Sequence, residues 1–271
     1  MRGLFEGVYK KWRMAMVTKN YAGWQETTSR RRQVETRNRI LSEKQPFPGA
    51  VFRLPTAPPA LGGLELVRLK VQGMTAKAVY FGKVDFGVGG EPTDNLLVLS
   101  YVQENGWKYD GAEFINLAAL PEVKASLAKG DMSVLEKAEF TPTGAMPAIP
   151  AVQLKAPVKY IAKVYAYCPN REVTVQVNRT SRHTFANTKQ AEVVIGGARD
   201  GENLVEFKTK SLPGGNGKEP LAIRVYLMSQ RPGVKIPAVF NYEVAEGGAV
   251  QGKGQGSFVV DANLVRQLTG L

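Results

Sequence analysis

Beyond residue 157 the chain is cut by glycine and proline into short runs in which every second residue is apolar, and this pattern constrains the fold more than any other feature. Tyr160, Ala162, Val164 and Ala166 form one such series. Val173, Val175 and Val177 form another, as do Ile223, Val225 and Leu227, and then Phe258 and Val260. Residues two apart share one face of a strand, so each series is the inner edge of a half-buried strand. The interruptions read "CPNR", "GGARDGEN", "LPGGNGKEP", "QRPG" and "EGGAVQGKGQG". Short strands, turn punctuation and little helical periodicity describe an all-β sandwich.

The first half is patterned differently. From Leu4 to Val17, Phe5, Val8, Tyr9, Trp12, Ala15 and Met16 recur at helical spacing, which predicts an amphipathic helix interrupted by "KNYAGW". Thr28 or Ser29 is placed to cap a second helix with Val34, Ile40 and Leu41 on its apolar side, ended by Pro46 and Pro48. Four strand-like runs follow: "LELVRLKVQG", "TAKAVYFGKVDF", "NLLVLSYVQE" and "GWKYDGAEFINL". Asn105-Gly106 between the last two predicts a hairpin with a type I′ turn. Pro121 opens a short helix that Gly130 closes. The expected architecture is therefore an α+β domain over residues 1–139, with helices on a curved antiparallel sheet. A proline-rich linker over 140–157 and a β-sandwich over 158–271 complete it.

Charge and reactive residues narrow the function. The formal net charge is +12, and its densest run, "SRRRQVETRNRILSEK", holds Arg30, Arg31, Arg32, Arg37 and Arg39. Glu35 and Glu43 are interleaved with them and no aromatic lies among them. A solvated helix face is the first reading and contact with an anion or nucleic acid the second, with nucleic acid the less favoured partner. The chain has one cysteine, Cys168, and one histidine, His183. They argue against a disulfide framework and a multi-histidine metal centre, and no metal or cofactor is expected. Cys168 reads as a small buried hydrophobe and His183 as a loop or strand-edge residue. "NRTSRHTF" holds a glycosylation sequon at Asn178, which matters only in a eukaryotic secretory pathway.

"GGAVQGKG" has phosphate-loop spacing at Gly247, Gly252 and Lys253. Gly254 stands where Ser or Thr would hold magnesium, and "SFVVDA" reads as a strand where a helix should start. The segment is therefore read as a flexible hairpin loop. No stretch is long and apolar enough to span a bilayer, so no transmembrane segment is expected.

The leading helix, the basic second helix and the strands carrying "TAKAVYFGKVDF" and "LLVLSYVQENGWKYD" resemble the nuclear transport factor 2-like, cystatin-like α+β superfamily over roughly residues 4–130. The second half resembles immunoglobulin-like sandwiches generically. The first resemblance implies a cone between sheet and helices, used by some members for isomerase or hydratase chemistry and by others for binding or assembly. Fold alone does not choose among these. Tyr80, Tyr101, Trp107, Tyr109 and Asp110 are the candidate pocket residues, and no catalytic residue is assigned. An acid paired with a tyrosine donor would be needed for enolate chemistry, and no motif places such a pair.

The expectation that follows is a non-enzymatic bacterial envelope or secreted protein, an interaction or structural module with a protein partner or a further copy of itself. Its location is expected to be periplasmic, at the outer surface or secreted; the start lacks the apolar centre of an export signal and is equally compatible with one having been removed. A cytoplasmic location is the alternative. Two other functions stay open: a small-molecule binder or isomerase-like protein taking an apolar or glycan-like ligand in the cone, and an anion or nucleic-acid binder using the arginine-rich helix.

Overall fold

The structure is a computed structural model that describes residues 1–85 and 92–270. Its contacts divide the chain into two compact units, residues 1–36 with 48–151 and residues 37–47 with 152–271.

In the first unit, α1 (Arg2–Val17) buries Phe5, Tyr9, Trp12, Ala15 and Met16, the stripe that its spacing predicts except for Val8, which is half-buried. "KNYAGW" is more than an interruption: Asn20 accepts from the Gly23 amide and caps a further helix, α2 (Tyr21–Thr27). Helix α3 (Arg30–Ser42) follows. Strands β1 (Glu65–Gln72), β2 (Thr75–Val84), β3 (Thr93–Glu104) and β4 (Gly106–Asn116) form an antiparallel meander in sequence order. The run taken for β2 extends to Phe86, which lies outside the described residues.

Both faces of this sheet are covered. Register places Tyr80 opposite Leu97 and Ala78 opposite Leu99 on one face, and Val79 opposite Val98 and Phe81 opposite Leu96 on the other. Phe5 packs on Tyr101 over the first. Leu117, Leu135 and Phe140 close the second, joined by Val123 and Leu127 of α4 (Pro121–Ala128). Double coverage explains why Leu96 to Leu99 read as an unbroken apolar run. The β3–β4 hairpin forms at Asn105, but only Gly106 takes positive φ, 94°. Glu104 pairs with Gly106, leaving Asn105 alone between the strands, so the turn is not type I′.

In the second unit, β5 (Ala162–Tyr167), β6 (Arg171–Val177), β7 (Ser181–Ala186), β8 (Lys189–Val193), β9 (Gly201–Ser211), β10 (Leu221–Leu227), β11 (Phe240–Val244) and β12 (Lys253–Val260) make two antiparallel sheets, ordered β11-β10-β5-β8 and β12-β9-β6-β7. Alternate side chains of both sheets enter one apolar cluster, among them Val164, Ile223, Val175, Val205 and Phe258.

The expected fold class, an α+β domain followed by an all-β sandwich, needs correction. Among the described residues there are five α-helices and three four-stranded antiparallel sheets, and the second unit is not all-β. It carries α5 (Ala262–Thr269), capped by Asp261 and placing Leu268 in the core. It also takes the C-terminal half of α3, where Ile40 and Leu41 are buried. Backbone groups bind that half: Val158 N donates to Leu41 O, Asn38 Nδ2 donates to Val152 O at 2.7 Å, and Gly196 N donates to Ser42 Oγ at 3.0 Å. Helical apolar residues with a strand-rich neighbourhood to bury against are the physical reason. The loop expected at "GGAVQGKG" holds for residues 247–252, but β12 takes its last two residues from Lys253 on, and it is not a hairpin loop because β11 and β12 lie in different sheets.

Candidate functional site

Four of the five pocket candidates meet in one aromatic layer between the first sheet and α1. Tyr101 stands opposite Tyr109 across β3 and β4, and Trp107 is opposite Gln103. The ring of Phe5 lies 5.0 Å from that of Tyr101 and 4.9 Å from that of Trp107. Trp12 stacks on Tyr109 at 3.9 Å, and Tyr9 reaches both at 5.5 and 6.1 Å. Tyr80 donates to Glu6 Oε1 at 3.3 Å and Tyr9 to the Pro59 carbonyl at 2.9 Å. Burial pushes the phenols of Tyr9, Tyr80, Tyr101 and Tyr109 above the ordinary tyrosine range, so they stay neutral. The helical partners Phe5, Tyr9 and Trp12 come from a stripe that the sequence reading assigned to α1 without linking it to the pocket residues.

Asp110 reaches the opposite end of this layer through a backbone irregularity. Ser100 pairs with Gly111 and Tyr101 with Tyr109, so Asp110 is an extra residue in β4, a β-bulge. The carboxylate is buried against the start of α3, whose N-terminus is tied to the strand by Ser29 N donating to Tyr109 O at 2.8 Å. Ser29 Oγ donates to Asp110 Oδ1 and accepts from Arg32 N at 3.1 Å. Arg31 grips the same carboxylate with Nη2 at 2.6 Å from Oδ2 and Nε at 3.2 Å from Oδ1. Its third nitrogen, Nη1, reaches Glu35 Oε1 at 2.5 Å. Burial disfavours the Arg31 cation, but the hydrogen bonds and charges of Asp110 and Glu35 outweigh it and raise its pKa. A pocket candidate and an anion-contact candidate thus bind each other.

The other arginines of the basic run are dispersed. Arg32 lies 3.7 Å from Glu35 and Arg39 lies 3.9 Å from Glu43, the pairs that their spacing on a helix allows. Arg37 lies over the Phe47 ring at 5.4 Å, and the Arg30 amide donates to Glu104 Oε1 at 2.9 Å.

No protein-family model, curated protein or solved structure matches the chain.

Among the described residues, no three His, Cys, Asp or Glu side chains are grouped to hold a metal ion, and no helix is long and apolar enough to cross a membrane. Cys168 is buried just beyond β5, where its Sγ donates to the Thr188 carbonyl at 3.6 Å, and burial raises its pKa. His183 lies on the edge strand β7 with Nε2 2.7 Å from Ser181 Oγ. Neither residue belongs to the aromatic layer. The layer offers stacked, neutral phenols and one carboxylate already held by a hydroxyl and a guanidinium.

Proposed function

We propose that this protein is a non-enzymatic module of the bacterial cell envelope or secreted space, holding a protein partner or a further copy of itself in a surface assembly. The reading is supported by the engagement of the candidate site with itself: Tyr101, Trp107 and Tyr109 pack on α1, and Asp110 is held by Ser29 and Arg31. A wall built this way positions β4 and α3 as a rigid pair and leaves the outer surfaces to recognition.

The test joins sedimentation velocity over a concentration series, with and without an envelope fraction, to a turnover screen against metabolites. Concentration-dependent association, or a defined complex of fixed stoichiometry, is the expected result. Conversion of a metabolite that is lost in Asp110→Asn and in Tyr101→Phe, with both variants still folded, overturns the reading. A monomer that binds nothing in the fraction also counts against it.

One observation favours a second reading, a small-molecule or isomerase-like pocket in the first unit. Tyr101 Oη and Trp12 Nε1 are buried with no hydrogen-bond partner among the described residues, and buried polar groups are ordinarily satisfied. An apolar ligand with one acceptor group would satisfy either atom. A thermal-shift response to such a ligand that disappears in Tyr101→Phe would favour this reading over the first.

A further inference from the structure

The outward face of the sheet ordered β12-β9-β6-β7 carries a groove of about 490 Å³, remote in sequence from the aromatic layer. Its floor follows from the strand register. Lys253 lies opposite Lys208, Lys208 opposite Thr174, and Thr174 opposite Thr184. The next row reads Gln255, Glu206, Gln176 and Arg182 across the same strands. Lys208, Lys253 and Arg182 are exposed, and the groove's one carboxylate, Glu206, has its nearest cation in Arg179 at 4.0 Å.

Two features of this face ask for a ligand. Lysines directly opposite one another on adjacent strands repel. Lys70 and Lys77 face each other in the same way on the first sheet, but there Glu136 and the Glu139 carbonyl take them up. For Lys208 and Lys253 an incoming anion would supply that relief. The cations also stand at both sides of the groove: Arg182 is two strands from Lys208, on the order of 10 Å at ordinary strand spacing. Thr174 and Gln176 lie between them and present hydroxyl and amide groups that both donate and accept.

We propose that this groove binds an acidic polysaccharide, a glycan chain bearing carboxylate or sulfate groups. Charged groups separated by neutral, hydroxyl-rich rings match cations separated by hydroxyl and amide side chains. Single-stranded nucleic acid also carries spaced charge, but its binding sites add aromatic platforms for the bases. The aromatic at this groove, Phe207, is 4% exposed, with its ring over Gly254 and against Tyr242. The inference rests on the reading of the protein as a binding module and goes beyond it, adding a glycan ligand to the protein partner or further copy proposed above.

Calorimetry of the full chain with polygalacturonate and with heparin, at low and high salt, tests it, with neutral dextran and oligothymidylate as comparisons. Binding to an acidic glycan that weakens with salt, and absence of binding to dextran, are expected. The double variant Lys208→Gln with Lys253→Gln should weaken that binding about tenfold or more, whereas Lys10→Gln with Lys11→Gln, an equal loss of charge on exposed positions of α1, should not. The first pair should melt at the same or a higher temperature, because a repulsion is removed; a merely structural role predicts a lower one. Equal binding by the two double variants overturns the proposal, as does preference for oligothymidylate. Failure to bind any acidic glycan at low salt overturns it while leaving the module reading to be decided by association and turnover.

Discussion

One extra residue in β4 links the basic helix to the aromatic layer. The bulge at Asp110 directs a carboxylate to Ser29 and Arg31 while Tyr109 keeps its place under Trp12. Removing one member of a largely buried pair strands the other, so Asp110→Ala should cost about 2–4 kcal/mol in urea unfolding. An unchanged midpoint would mean that the pair is not part of the folded scaffold. The sequence shows Arg31 four residues before Glu35, and that pair is legible from helical spacing. The bond to Asp110 is not, because it depends on a bulge set by register between strands.

His183 adds a second test at this scale. Burial holds its pKa below the ordinary 6.5, with the charge of Glu192 opposing. The unfolded chain therefore takes up the proton first as pH falls. The stability that neutral His183 supports is complete above about pH 6.5 and is lost as pH drops through its lower folded value. His183→Gln should flatten that part of the stability profile, measured as the difference in urea midpoint between the two proteins on either side of pH 6.5. A parallel profile would contradict it.

At the scale of elements, β12 is the instructive case. Glycine repetition made "GGAVQGKG" read as a loop, since glycine weakens strands in general. In the fold, Gly254 and Gly256 are strand residues whose missing side chains leave room for aromatic rings. A Cβ on Gly254 would lie 2.3 Å from Phe207 Cζ, and one on Gly256 would lie 2.7 Å from Phe240 Cε2. Gly254→Ala should therefore destabilise by about 1–3 kcal/mol, as overpacking does. Gly256→Ala should cost less, because Phe240 is only half-buried and has room to move. A Gly254→Ala protein as stable as the parent would show that Phe207 is not fixed there. The alternating series of β5, β6 and β10 were legible because one face of each is buried, whereas β7 exposes half of its residues and β8 three of its five, and both carry a weak signal. Helix α5 has its signals at Asp261 and Gly270, but only eight residues lie between them, too few for periodicity to separate a helix from the strand before it.

For the molecule as a whole, the sequence shows where helical and strand-like patterns occur but not how the chain is shared between units. The segment 37–47 belongs with residues 152–271 because Asn38, Leu41 and Ser42 bond to backbone far ahead in the chain, and local pattern carries no record of such partners. The proposed function makes the aromatics of the first unit a load-sharing wall of its scaffold. Equilibrium urea unfolding of Tyr101→Ala tests this most directly, since Tyr101 is 1% exposed and packs on Phe5. As part of the wall it should lower stability by about 3–5 kcal/mol. A loss under about 1 kcal/mol would contradict the account and make the layer a ligand pocket.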